Sequence, residues 1–384
     1  MRATFRIAAL LTLVALPAVA QTPAFIVVDN SDGTVVAEKD STKPWYPASV
    51  TKLMTAYVTF RALKAGEIKP DTPVAVSQNA INQAPSKMGF PVGTTMTVDN
   101  ALKMMIVKSA NDIAVAIAET VGGSEAGFIG RMNAEARRLG MNSTHYVNPN
   151  GLPDEGHVTT ARDLAVLTRA LWADFPAQRD LFRIPAIRTG DSVIRTHNTL
   201  LERYRGSNGM KTGFICASGF NVVATATRGS RTLITVVLGS ESAKERTQLA
   251  AGLLDKAFGG WSMGNKQIAS FGNAPALAQP VNMRAQVCSK RGKNEGEEDD
   301  PVFASVGAAG TSLEKNRFFV MEPVAVSTLY VPPQPDPPVK KAKKKKVSRT
   351  TAPAAEGAAK KKPGAAAKKS TDPIADAIAD AIKQ

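Results

Sequence analysis

Tyr46-Pro47-Ala48-Ser49-Val50-Thr51-Lys52-Leu53-Met54 is the stretch on which the reading of this chain turns. Val50, Leu53, Met54, Tyr57, Val58 and Leu63 recur at helical spacing behind Pro47, which predicts a helix with an apolar face starting at Ser49. At spacing i, i+3 the Ser49 hydroxyl and the Lys52 amine share one face of that helix. Ser49 in the first turn also lies near the positive end of the helix dipole, which favours a developing alkoxide. A lysine drawn into a partly desolvated pocket has its charged form disfavoured and can act as base toward the serine. The competing description is a capping serine followed one turn later by a solvated lysine, and the pair alone does not choose between them.

Two further motifs lie downstream. Ser109-x-Asn111 falls within a predicted helical region, Val98 to Val121, and Lys211-Thr212-Gly213 directly precedes a predicted β-hairpin. Short patterns recur by chance, and here Ser312-x-x-Lys315 repeats the first and Ser77-x-Asn79 the second. Order and context give the set its weight. Ser109 and Asn111 suit relay of a proton to a leaving group and the holding of a substrate amide. Lys211 and Thr212 offer an ammonium and a hydroxyl to a carboxylate, a charge-assisted contact. Gly213 leaves the strand edge free of a side chain, so an extended peptide laid there gains main-chain hydrogen bonds. With no His near Ser49 in sequence and no G-x-S-x-G elbow, a Ser/Lys dyad fits better than a Ser/His/Asp triad.

Outward from these motifs, Phe25–Val28 and Thr34–Ala37 form two β-branched runs around an Asp-Gly turn and predict a hairpin. Helices are predicted over Ala126–Leu139, Thr160–Leu171 and Lys244–Phe258, and strands over Phe220–Thr227 and Arg231–Leu238. Strands at both ends of a helical middle suggest a mixed sheet whose first and last elements lie side by side, unlike a doubly wound βαβ order.

At 384 residues and 43% hydrophobic, the chain can build two domains or one large domain with appendages. Two cysteines exclude a disulfide scaffold, and there is no Cys/His cluster, HExxH, Walker A loop or GxGxxG fingerprint, so no metal or cofactor is expected. Residues 1–20 read as a secretory signal peptide: Arg2 and Arg6, an apolar run from Ile7 to Leu16, then Ala18-Val19-Ala20. The net charge of +15 is concentrated in a tail, since Lys340 to Thr371 holds 12 Lys/Arg and one acid, Glu356. The Pro/Ala/Lys-rich segment 332–384 is expected to be disordered. It has no aromatics for base stacking, so nucleic acid is not the expected partner, and behind a leader the anion it would meet is a lipid headgroup.

The chain resembles the serine D-alanyl-D-alanine carboxypeptidases, the low-molecular-mass penicillin-binding proteins. Beyond the three motifs, Asn148-Pro149-Asn150-Gly151-Leu152-Pro153, followed by His157, Thr160, Arg162, Asp163 and Leu164, is similar to the family's signature, and the likeness runs from about Ala24 to Gly260. The resemblance implies a serine β-lactamase/transpeptidase-like fold, an antiparallel sheet flanked by helices with an inserted helical subdomain, over residues 21–260. Residues 261–331 form a C-terminal region whose fold the sequence leaves open, a small β unit being one reading. It also implies roles: Ser49 as acylated nucleophile, Lys52 as general base, Ser109 in proton transfer, Asn111 and Thr212 positioning the peptide, Lys211 supporting its carboxylate. The backbone N–H groups of Ser49 and Phe214 would form an oxyanion hole, with Arg246 a further carboxylate partner. The implied partners are peptidoglycan stem peptides and β-lactams, in the periplasm or cell envelope. The chain departs from the family at Ala110, where Gly is common, and at Phe214-Ile215-Cys216 after the Lys-Thr-Gly motif. Alternatives within the fold are a D,D-endopeptidase or a β-lactamase, for which Glu155 is the one hint of a deacylating carboxylate. Alternatives of another class are a non-catalytic protein that binds wall peptide and an anion-binding protein working through its tail. Cys216 reads as a buried strand cysteine rather than a reactive thiol, and its pairing with Cys288 is left open by the sequence.

Overall fold

The structure, a computed structural model, describes residues 22–274, 278–289, 313 and 321–333. The expected leader, the charged loop 290–300, the pattern Ser312-x-x-Lys315 and the tail from 334 onward lie outside the described residues.

The first hairpin forms as its β-branched runs predict, from β1 (Ala24–Asp29) and β2 (Val35–Lys39). A 3-10 turn, Ala48–Thr51, runs straight into α1 (Lys52–Lys64), so Ser49 sits in the tight turn that starts the helix. β3 (Pro73–Ala75), α2 (Gln78–Ile81) and β4 (Thr95–Thr97) follow, with β3 and β4 paired. The helical middle holds α3 (Val98–Val107), α4 (Asn111–Gly122), α5 (Glu125–Arg138) and α6 (Ala161–Asp174). Next come the hairpin β5 (Ala186–Thr189) and β6 (Ser192–Arg195), the short α7 (Leu200–Arg203), and the strands β7 (Ser207–Ile215), β8 (Gly219–Arg228) and β9 (Arg231–Ser240). α8 (Ala243–Phe258), α9 (Arg284–Val287) and β10 (Val324–Ala325) complete the described α-helices and β-strands.

The helical region expected over 98–121 is two helices, broken at Lys108–Ala110. Neighbours replace the helix's own hydrogen bonds there. Asn111 N–H donates to the Ser86 carbonyl at 2.7 Å, and the buried Asp112 carboxylate accepts from Met88 N–H and Gly89 N–H at 3.1 and 2.9 Å. The 84–89 loop thus props the break open, with Ser109 at its apex at φ 62°.

The main sheet has the order β2-β1-β9-β8-β7. Its first and last elements are adjacent, β1 pairing with β9 from Ala24↔Leu238 to Asp29↔Leu233. It is antiparallel at every pairing, which corrects the mixed sheet suggested by element order alone; three hairpins and an antiparallel β1–β9 contact leave no parallel pair. Period-two alternation sends side chains into two cores. Ile26, Val28, Val223 and Val236 pack toward α1, α4 and α6, whereas Phe25, Val27, Val222 and Val237 pack on Leu249, Leu253 and Leu254 of α8. Truncating a buried leucine such as Leu253 to alanine costs about 2–5 kcal/mol.

Described segments beyond 260 lie on this body. β10 adds parallel to β5, Tyr330 bridges Thr95, Leu313 bridges Tyr204 and Val281 bridges Trp45. Among the described residues no single helix is long and apolar enough to cross a membrane.

Candidate active site

The turn that carries Ser49 is clamped from three sides. Ala48 adopts φ 50°, a left-handed conformation that costs an L-residue about 1–2 kcal/mol and persists only where its surroundings fix it. The buried Asn221 side chain of β8 donates to the carbonyls of Tyr46 and Pro47 at 3.0 and 3.1 Å. Gly151 backs onto the turn so closely that a Cβ there would lie 1.9 Å from the Ala48 carbonyl oxygen. On the opposite side Gly213 of β7 approaches so that a Cβ would lie 2.9 Å from Ser49 N and 3.0 Å from Pro47 O and Val50 N. Only glycine permits these two approaches.

Lys52, fully buried, places its Nζ 3.1 Å from Ser49 Oγ, 2.7 Å from Asn111 Oδ1 and 2.6 Å from the Asn150 carbonyl oxygen. The Asn111 amide is oriented because its Nδ2 donates to the Ala84 carbonyl at 2.9 Å, which turns Oδ1 toward the lysine. Two of the three acceptors around Nζ are therefore oxygens that can only accept. A neutral amine satisfies both with its N–H bonds and keeps a lone pair for the Ser49 hydroxyl proton; an ammonium donates to all three. The cage fits the amine before and after it takes a proton.

The Asn148–Leu164 signature builds the floor of this cage. Pro149 and Asn150 present carbonyls to Thr55 Oγ1 and to Lys52. His157 Nδ1 accepts from Val147 N–H at 3.2 Å, so in the neutral ring Nε2 carries the hydrogen and donates to Thr51 Oγ1 at 2.8 Å. Burial pushes the His157 pKa down to about 3, opposed in part by the charge of Asp154. A neutral, hydrogen-bonded imidazole of this kind braces the turn.

A cleft of about 320 Å3 opens over Ser49, lined by Ser86, Ser109 and Asn111 on the helical side, by Gly151–Pro153 and His197, and by Gly213–Cys216 on the sheet side. β7 is the edge strand, so alternate main-chain N–H groups face away from β8 toward the cleft. Lys211 and Gly213 oppose Val223 and Asn221 and share the helix-facing side of the strand; Thr212 opposes Val222 on the α8 side. Lys211 Nζ donates to the Thr212 carbonyl at 2.9 Å. Arg246 of α8 lies over the Phe220 ring and donates to the carbonyls of Asn221 and His197 at 3.5 and 3.4 Å. The structure thus gathers Ser49, Lys52, Ser109, Asn111, Gly213 and Phe214 around one cleft. Lys211, Thr212 and Arg246 are buried and are not among the residues that line it. A larger apolar hollow of about 560 Å3, lined by Phe60, Leu63, Leu102 and Leu181, shares no residue with the cleft.

Cys216 lies in the turn after β7 and is joined to Cys288 by a disulfide, which settles the pairing and excludes a free thiol beside the cleft. Ser86, Asp112, Asn221 and His197 were not legible as site residues in sequence. Asn221 interrupts an apolar strand run, and that buried amide was the one available signal.

The D-alanyl-D-alanine carboxypeptidase family matches residues 13–242, more than half of the 384-residue chain. The chain belongs to this family. Its fold is the serine β-lactamase-like fold of penicillin-binding proteins. It is 36% identical over 242 residues to D-alanyl-D-alanine carboxypeptidase DacC of Escherichia coli, a match covering 61% of this chain and 60% of that protein. The crystal structure of D-alanyl-D-alanine carboxypeptidase DacD from Francisella tularensis superposes with a TM-score of 0.60 at 30% identity, over 65% of this chain and 74% of that one. Penicillin-binding protein D2 from Listeria monocytogenes, in its ampicillin-bound form, gives a TM-score of 0.54 at 29% identity, over 61% of this chain and 96% of that one. The chain spans about three-fifths of the length of the curated carboxypeptidases it matches.

Proposed function

We propose that this family member is a serine-type D-alanyl-D-alanine carboxypeptidase that removes the terminal D-alanine of peptidoglycan stem pentapeptides through an acyl-enzyme, and that penicillins acylate the same serine. The observation that carries the proposal is Lys52 Nζ at 3.1 Å from Ser49 Oγ, with its other two bonds committed to Asn111 and Asn150. Neutral Lys52 takes the Ser49 proton as Oγ bonds to the carbonyl carbon of the penultimate D-alanine. The developing oxyanion is received by the main-chain N–H groups of Ser49 and Phe214. Ser109, on the cleft wall, passes a proton to the leaving nitrogen, the C–N bond breaks and D-alanine departs. Water then adds to the ester with Lys52 again as base, releasing the tetrapeptide and restoring the Ser49 hydroxyl. Lys211, on the face of β7 that carries Gly213, supplies positive charge for the terminal carboxylate, with Thr212 and Arg246 backing it from the α8 side, and Asn111 and the β7 edge hold the peptide.

A β-lactam presents a strained amide to the same oxygen. Among the described residues no carboxylate lines the cleft, and Glu155 is exposed outside its wall. That favours slow release of the penicilloyl group, and so a peptidase over a β-lactamase. The leader-like 1–20 and the basic 332–384 support export to the envelope, with the tail held at an anionic membrane by about 1 kcal/mol per basic residue. Free D-alanine measured after incubating the full chain with a pentapeptide ending in D-Ala-D-Ala tests the activity. Release that vanishes in Ser49→Ala is expected; no release from the intact chain overturns the proposal.

A further inference from the structure

We propose that Arg284 is a specificity-determining residue that recognises a free carboxylate on the stem-peptide residue preceding the D-Ala-D-Ala pair. The proposal rests on the carboxypeptidase reading above and extends it to the substrate. Arg284 lies beyond the 13–242 span that the family matches, yet it lines the cleft over Ser49. It is exposed, and it is the one guanidinium among the described lining residues.

Its place is fixed by the strap that carries it. Val281 N–H donates to the Pro44 carbonyl at 3.2 Å, Met283 N–H donates to the Ala217 carbonyl at 2.9 Å, and Cys288 is bonded to Cys216. Met283 and Val287 are buried on either side of the arginine. A long cation thus stands on an anchored backbone at the end of β7, beside Ile215 and Cys216.

The order of groups along β7 says which part of a peptide it meets. Gly213 packs on Ser49, so the reacting carbonyl lies there. The terminal carboxylate, one residue further on, belongs toward Lys211 and Thr212. The peptide's upstream residues then run the other way, past Ile215 and Cys216, at about 3.3 Å per residue of extended chain. The first side chain beyond the D-alanine pair therefore comes to Arg284. A planar guanidinium there pairs with a carboxylate and repels a lone ammonium.

The test is the ratio of kcat/KM for D-alanine release from two pentapeptides, one with 2,6-diaminopimelate before the D-Ala pair and one with lysine. The two differ by a single carboxylate. The intact chain is expected to favour the dicarboxylate about three- to fivefold, as an exposed ion pair allows. The ratio falls to about one in Arg284→Ala, drops below one in Arg284→Glu, and is partly kept in Arg284→Lys. Raising the salt concentration shrinks the ratio of the intact chain. Equal kcat/KM for the two peptides in the intact chain, or an unchanged ratio in Arg284→Ala and Arg284→Glu, overturns the assignment while leaving the carboxypeptidase reading intact. Failure to release D-alanine from either peptide overturns both.

Discussion

Gly213→Ala tests whether the close approach of β7 to the Ser49 turn is what makes the serine reactive. The added Cβ would lie 2.9 Å from Ser49 N and 3.0 Å from Pro47 O and Val50 N, where ordinary contact begins near 3.4 Å. All three neighbours are backbone atoms, and the turn cannot simply retreat, because Asn221 holds the carbonyls of Tyr46 and Pro47. Strand and turn must part by roughly 0.5 Å, at a stability cost of about 1–3 kcal/mol for overpacking. That displacement moves the N–H groups of Ser49 and Phe214 away from the proposed oxyanion position. A well-placed donor contributes about 2.7–4 kcal/mol to such a transition state, so partial misplacement slows acylation about 10- to 100-fold. The assay is the second-order rate constant for acylation by a fluorescent penicillin, read by stopped flow beside a melting curve. Gly130→Ala, with open space around an exposed site on α5, is the control; it gains up to about 1 kcal/mol of helix propensity and keeps its acylation rate. A Gly213→Ala protein that acylates within about twofold of the parent would show that the approach of β7 does not set the reactivity of Ser49.

Three further outcomes follow from the site. Lys52→Met removes the proposed base and is expected to slow acylation about 10²- to 10⁴-fold, and a smaller loss in a folded variant would assign proton transfer elsewhere. His157 is held neutral, with its pKa lowered to about 3 against an ordinary 6.5. The unfolded chain therefore binds a proton here that the folded one does not. This stabilisation is full above pH 6.5 and is lost as pH falls toward 3, by up to about 1.4 kcal/mol per pH unit. Melting temperatures at pH 7 and pH 5 should accordingly fall less steeply in His157→Gln than in the parent, and equal slopes would contradict the assignment. Asn221→Ala strips the turn of two hydrogen bonds and leaves buried carbonyls unpaired, which costs about 1–3 kcal/mol each. Acylation and melting temperature should drop together in that variant, and unchanged acylation would show that the turn holds its shape without Asn221.

Much of the site was legible in sequence because its signal is local. Ser49 and Lys52 are one helical turn apart, and Asn111 opens a helix. The break at Ser109 was hidden because the apolar spacing of Met104, Met105, Val107, Ile113 and Val115 continues across it; the loop that props it open comes from residues 84–89. The motif Lys211-Thr212-Gly213 stands on a strand edge directly before the β8–β9 hairpin, as its sequence context predicts, but the extent of the nine-residue strand around it has no local signal. Asn208, Gly209, Lys211 and Gly213 give that strand little intrinsic β preference, and its pairing with β8 decides its conformation. β3 and β4, at three residues each, are too short for alternation to register. The Cys216–Cys288 bond and the bridge from Trp45 to Thr159 join positions far apart in the chain, which no periodicity can announce.

One oxygen atom, Ser49 Oγ, is the nucleophile of the proposed reaction. Intact-mass and peptide-mapping spectrometry of the full chain after brief exposure to benzylpenicillin reads it directly. One penicilloyl group per chain on the peptide containing Ser49, and none in Ser49→Ala, is the predicted result. An adduct on any other residue, or one that persists in Ser49→Ala, would contradict it.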